Sequence, residues 1–110
     1  MFYVKKRLEV AIAHNLILDY ESKCKNLHGH NLIIQVYCKS EKLNNNGMVI
    51  DFKTIKDLIH SKLDHNNLND IFDFNPTAEN LCVWIKTQIP FCYKVSIQES
   101  ENNEAVYEEI

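Results

Sequence analysis

Arginine is almost absent, with Arg7 the only one in the chain, and the lysines form no basic tract. A net charge of -3 without a positive stripe makes nucleic acid or an anionic membrane surface a poor partner. Any phosphate on a ligand would have to be held mainly by lysines or backbone amides. No apolar run approaches the roughly 18 residues needed to span a bilayer. Met1 to Arg7 lack the charged head, apolar segment and small-residue cleavage site of a signal peptide, so a cytoplasmic protein is expected. The four cysteines, Cys24, Cys38, Cys82 and Cys92, form no Cys-x-x-Cys pair, which argues against a thiolate metal ribbon or a redox dithiol. In a reducing cytosol they stay free thiols. Repeats, linkers and low-complexity segments are also missing. The 110 residues therefore read as one domain, 1–110, able to bury about two-thirds of its unfolded surface.

What is present is a set of periodic segments. Phe2 to His14 alternates as a strand, with Phe2, Val4, Leu8, Val10, Ile12 and His14 on one face and Lys6 as the exception. Leu27 to Lys39 reads as a second strand whose apolar face holds Leu32, Ile34, Val36 and Cys38. Asn44-Asn45-Asn46-Gly47 signals a turn that tolerates positive φ, and Met48-Val49-Ile50 is expected to return as a third strand of an antiparallel meander. Asp51 can cap a helix carrying Phe52, Ile55, Ile59 and Leu63, ending near Asp64-His65. Asn75-Pro76-Thr77 opens a second helix, with Pro76 at its first position and Ala78, Leu81, Trp84, Ile85 and Ile89 as its stripe. Tyr93 to Glu99 and Ala105 to Ile110 close the chain as strands. The order implies an α+β fold with two helices over one face of an antiparallel sheet.

His28 and His30 lie two residues apart on the second strand and so share a face. Gly29 between them suggests that the backbone there needs room or close approach. With His14 from a neighbouring strand, three imidazoles can ligate a tetrahedral metal and leave one position open, the mark of a catalytic zinc site. Strand histidines are also commonly satisfied by hydrogen bonds, and the spacing alone leaves both readings open. Cys24 precedes the pair between Lys23 and Lys25, whose ammonium groups favour the reactive thiolate. A lone exposed cysteine without a role fits the same pattern. Glu99 continues an apolar strand face, where a carboxylate needs a partner such as two adjacent N–H donors, unless the strand has already reached solvent. Asp64 and His65 would complete a proton relay if the fold brought them to Cys24. Thr77 and Glu79 have helix capping as their first explanation, and His60 reads as a surface residue.

Taken in order, Ala-x-Ala-His (Ala11 to His14), Cys-x3-His-Gly-His (Cys24 to His30), Gly-Met-Val-Ile-Asp-Phe (Gly47 to Phe52), Leu-Asp-His-x-x-Leu-Asn (Leu63 to Asn69), Asn-Pro-Thr-x-Glu (Asn75 to Glu79) and a late strand ending in Glu99 resemble the 6-pyruvoyl-tetrahydropterin synthase family. Within it, the gap between Cys24 and His28 is similar to the bacterial 6-carboxy-tetrahydropterin synthases of queuosine biosynthesis. The resemblance implies that His14, His28 and His30 hold one Zn2+ per subunit. It makes Cys24 the catalytic base, Asp64 and His65 its relay partners, Glu99 the pterin anchor and Thr77 a residue near the pterin. Ala78 departs from relatives, which often have Ser or Thr there, and the chain is short with trimmed loops. The fold implied is the T-fold, an antiparallel four-stranded sheet with two helices on one face that oligomerises into a barrel. A homohexamer built as a dimer of trimers follows, with active sites at subunit boundaries. The reaction implied converts 7,8-dihydroneopterin triphosphate to 6-carboxy-5,6,7,8-tetrahydropterin, acetaldehyde and triphosphate. The alternatives are a pyruvoyl synthase, which eliminates triphosphate without carbon–carbon cleavage, and a noncatalytic pterin- or metal-binding protein on the same scaffold.

Overall fold

The computed structural model describes residues 1–110. Two long strands, β1 (Phe2–His14) and β2 (His28–Ser40), pair antiparallel along their whole length, from Phe2 opposite Ser40 to His14 opposite His28. Between them, a single 3-10 turn at Lys23–Lys25 is capped by Ser22, whose hydroxyl accepts from the Cys24 amide at 3.2 Å. After β2 come α1 (Phe52–Leu63), the two-residue β3 (Asn66–Asn67), a one-turn α2 (Leu68–Ile71), α3 (Ala78–Gln88), β4 (Cys92–Ser100) and β5 (Asn103–Glu108). The sheet runs β3-β1-β2-β4-β5, antiparallel except where β3 joins β1. The long strand ladder sets the shape, 51 Å along one axis and 27 and 26 Å along the others. No helix is long and apolar enough to cross a membrane.

The alternation expected for β1 and β2 holds from Leu8 to His14 and along β2, whereas Phe2, at the start of the same face, is exposed. Leu8, Val10, Ile12, Leu32, Ile34, Val36 and Cys38 are all buried, and they meet Ile55, Ile59 and Leu63 of α1 and Leu81, Cys82 and Ile85 of α3. Each such aliphatic side chain stabilises the fold by about 1.5–3 kcal/mol on burial. Cys38 and Cys92 face one another across β2 and β4. A hydrogen bond between their thiols, reinforced by burial, pushes Cys38 well above the ordinary thiol range; the same bond draws Cys92 below it against the effect of burial.

Several expectations are corrected. Met48–Ile50 is not a strand. Asn44 uses up the local hydrogen bonds: its amide donates to the Met48 carbonyl at 2.8 Å, and its side chain accepts from Asn46 and Met48. Gly47 adopts φ 79°, as the turn signal required. Val49 and Ile50 are buried as a cap on the core, and Asp51 then starts α1 by accepting from the Lys53 amide at 2.9 Å. The sheet is thus five-stranded and mixed rather than four-stranded and antiparallel, because the polar Asn66–Asn67 segment runs beside Ile12 and Ala13 of β1. There are three α-helices rather than two, since Asn67 caps the extra turn by accepting from Asn69 at 3.1 Å. Pro76 lies outside α3, and Thr77 is the cap. The last strand starts at Asn103 rather than Ala105.

Candidate metal centre and its cavity

Strand register builds the centre. His14 stands directly opposite His28 where β1 pairs with β2, and His30 stands opposite Ile12, one diagonal step away. Alternation sends all three side chains to the same face. The ring centroids of His14–His28, His14–His30 and His28–His30 lie 4.6, 5.2 and 4.9 Å apart, and one nitrogen from each falls within 4.8 Å of the others. A Cβ at Gly29 would meet the Ile12 carbonyl at 3.4 Å, an ordinary contact. Within this chain, the glycine is therefore not forced by sterics as its position suggested.

Hydrogen bonds decide which nitrogens face inward. Nδ1 of His14 donates to the Pro76 carbonyl at 2.8 Å, and Nδ1 of His28 donates to the Asn26 carbonyl at 2.7 Å. A carbonyl can only accept, so in both rings Nε2 keeps its lone pair. His14 is 2% exposed, and its Nε2 is buried without any hydrogen-bond partner. Such an orphaned acceptor is costly in a finished core and is what a metal ion would satisfy. Burial holds the His14 pKa below the usual imidazole value; His28 and His30 add to this, while the Pro76 carbonyl and Glu99 oppose it. The ring is therefore neutral and able to ligate at neutral pH. Three imidazole nitrogens, two of them on rings with carbonyl-fixed tautomers, suit zinc.

The segment after His14 is clipped by two asparagines. Asn69 accepts from the Asn15 amide and donates to the Asn15 carbonyl, at 2.8 and 2.9 Å. Asn75 does the same for Ile17, both at 2.9 Å. Both residues belong to the sequence motifs, but their partners lie more than fifty positions away in the chain. Only tertiary folding reveals these clips.

A cavity of about 340 Å³ opens over the three imidazoles and is also lined by Cys24, Glu99, Lys23 and Asn103. The expected base and the expected anchor thus share one space with the metal ligands. Cys24 is exposed, and its carbonyl accepts from the Leu16 amide at 2.7 Å. Glu99 falls at a register shift: Gln98 pairs with Glu104 but Ser100 pairs with Asn103, leaving Glu99 as the extra residue of a bulge. A bulge re-aims a side chain, and no residue pattern foretold it. Glu99 also lines an adjoining cavity of about 350 Å³ with Ala78, Glu79 and Asn102. Thr77 lines neither cavity; its hydroxyl accepts from the Asn80 amide at 3.1 Å, the capping role.

Asp64 and His65 are elsewhere. The Asp64 Oδ1 accepts from the Ala11 amide at 2.9 Å, which fixes the carboxylate beside β1. Its Oδ2 lies 3.6 Å from His65 Nε2 and 3.7 Å from His60 Nδ1. His60 is half-buried rather than a free surface residue. His65 takes φ 61° and leaves its side chain 83% exposed on the outer edge of the sheet. It does not line the cavity that holds Cys24. The dyad is assembled, but not against the thiol of its own chain.

The family model for 6-pyruvoyl tetrahydropterin synthase matches residues 3–110. The chain is 25% identical over 123 aligned positions to 6-carboxy-5,6,7,8-tetrahydropterin synthase of Bacillus subtilis, covering 96% of this chain and 84% of the relative. It is 37% identical over 98 positions to 6-pyruvoyl tetrahydrobiopterin synthase of Dictyostelium discoideum, covering 77% and 73%. The solved Caenorhabditis elegans 6-pyruvoyl tetrahydropterin synthase superposes with a TM-score of 0.78 at 26% identity, covering 99% of this chain and 96% of that one.

Proposed function

This chain belongs to the 6-pyruvoyl tetrahydropterin synthase family, and from that premise we propose that it is a zinc-dependent lyase of pterin metabolism. Its substrate in this reading is 7,8-dihydroneopterin triphosphate. With one water consumed, the products are 6-carboxy-5,6,7,8-tetrahydropterin, acetaldehyde and triphosphate, a step toward 7-deazaguanines such as queuosine. The observation that carries the reading is the single cavity shared by three imidazoles, a thiol and a carboxylate.

Each group has a task set by its chemistry. His14, His28 and His30 would hold one Zn2+ per chain, and the bound ion supplies Lewis acidity toward the side-chain hydroxyls of the substrate. Glu99, carried by the bulge, accepts from the 2-amino and ring N–H edge of the pterin through its two oxygens. Cys24, as thiolate, takes the proton from the carbon beside the ring, and the resulting negative charge delocalises into the ring C=N system. Thr77 supports the pterin end indirectly, by fixing the start of α3 next to Ala78.

Asp64 and His65 fit as the relay that returns or removes this proton, with the Asp64 carboxylate setting the imidazole orientation. Because they stand on the outer sheet edge, they reach a thiol only in a neighbouring copy. Free edges along β1 and β5 offer the pairing surface for such copies. A homohexamer of two trimers, working in the cytoplasm where its four free thiols stay reduced, completes the proposal.

Pyruvoyl chemistry is the second reading, favoured by the 37% identity to the Dictyostelium enzyme. Mass analysis of the zinc-loaded reaction decides between them. A carboxy product together with acetaldehyde supports the first reading, and a pyruvoyl product without aldehyde replaces it with the second. Bound but unaltered substrate would remove catalysis altogether.

A further inference from the structure

Cys24 is flanked by two lysines, and the structure treats them differently. The Lys25 ammonium is drawn away into an ion pair with Glu21 at 3.3 Å. Lys23 makes no ion pair and lines the cavity above the three histidines. Apart from the imidazoles themselves, it is the sole cationic side chain there; the remaining polar lining is Cys24, Glu99 and Asn103. Ser22 fixes its backbone by capping the 3-10 turn that Lys23 begins. The position is therefore set by the fold, while the ammonium keeps its freedom.

Resting on the pterin reading above, we propose that Lys23 is the phosphate-recognition residue of this site and makes it selective for a phosphorylated pterin over the free one. The cavity divides its labour by charge. Glu99 is an acceptor and suits the N–H edge of a ring, and neutral imidazoles ligate a cation. Neither can hold a polyphosphate, which needs a donor of positive charge. The only arginine, Arg7, is on β1 away from this cavity, so the side-chain charge that meets phosphate here is a lysine ammonium, a mobile point charge rather than a fork. The 3-10 turn carries that charge next to Cys24 in the chain and on the wall of the same cavity.

The test measures equilibrium binding of 7,8-dihydroneopterin triphosphate and of unphosphorylated 7,8-dihydroneopterin. Zinc-loaded protein carrying Cys24→Ala is used, so that neither ligand turns over. Adding Lys23→Met should weaken the triphosphate by roughly tenfold to a hundredfold, the loss of a charge-assisted bond, and leave the free pterin unchanged. It should also flatten the salt dependence of triphosphate binding. Lys23→Arg should restore most of the affinity, and Lys25→Met should change neither ligand. Equal losses for both ligands, or none for either, would overturn the assignment. If the parent protein binds both pterins equally, phosphate recognition fails while the pterin reading stands. If it binds neither, both fall together.

Discussion

Cys24 carries the sharpest expectation among single residues. Replacing it with Ala should leave zinc content and pterin affinity intact while turnover drops by about 10²–10⁴, the usual contribution of a general base. Parallel measurements of metal content, binding and rate check this, and wild-type turnover would remove the thiol from the chemistry. Glu99→Gln keeps the shape of the bulge but loses the charge that accepts two donors. Pterin binding should weaken markedly with zinc content unchanged, and an equal fall in both would contradict the anchor role. The imidazoles and the thiol were legible because strand alternation and spacing are local properties. The Nδ1 bonds to Pro76 and Asn26 were not, since they depend on where distant carbonyls arrive. Acid sensitivity also belongs at this scale. Burial lowers the His14 pKa in the folded chain, so in the window between that value and about 6.5 the unfolded state binds more protons. The metal-free protein should keep this contribution above about pH 6.5 and lose it as pH falls through the lower folded value. Urea unfolding at stepped pH would show it, and a stability that rises on acidification would refute the sign.

Among the elements, β1 and β2 were read correctly because their apolar alternation runs unbroken into the histidines. Met48–Ile50 was misread because three apolar residues after a turn look the same whether they pair as a strand or cap a core. The difference lies in Asn44, whose side chain takes the donors that a ladder would have used. Asn66–Asn67 pairs as a strand although both residues are polar, because β1 has a free edge there, where Asp64 and His65 already bond to Ala11. The asparagine clips give an element-level expectation. Asn75→Ala removes two bonds to Ile17 and should destabilise the fold by about 1–3 kcal/mol. Metal retention should fall with it, because the same loop presents the Pro76 carbonyl to His14. Denaturant midpoints and zinc content after dialysis would report both effects, and unchanged zinc retention would separate the clip from the metal centre.

For the whole molecule, the separation of the Asp64–His65 dyad from the Cys24 cavity is the decisive fact. In the proposed reading the two halves form one relay, and that relay is complete only where copies meet. Mixed assembly tests this directly. Cys24→Ala and His65→Ala proteins, each inactive, should regain part of the wild-type rate when co-refolded, because some boundaries then combine an intact thiol with an intact dyad. Sedimentation of the wild type should show a hexamer, and a fully active monomer would exclude shared sites. The α+β class and the grouping of the three histidines were legible from the chain's own order of motifs. Sites at subunit boundaries came only from the family resemblance, because periodicity carries no information on subunit contacts.

Zinc stoichiometry after exhaustive dialysis bears most directly on the central claim, that His14, His28 and His30 converge on one ion. The wild type should retain one zinc per chain, and single alanine substitutions at each of the three positions should each lose it while the fold, followed by circular dichroism, survives. Full zinc retention in any one of these folded variants, or a wild type that binds none, would contradict the account.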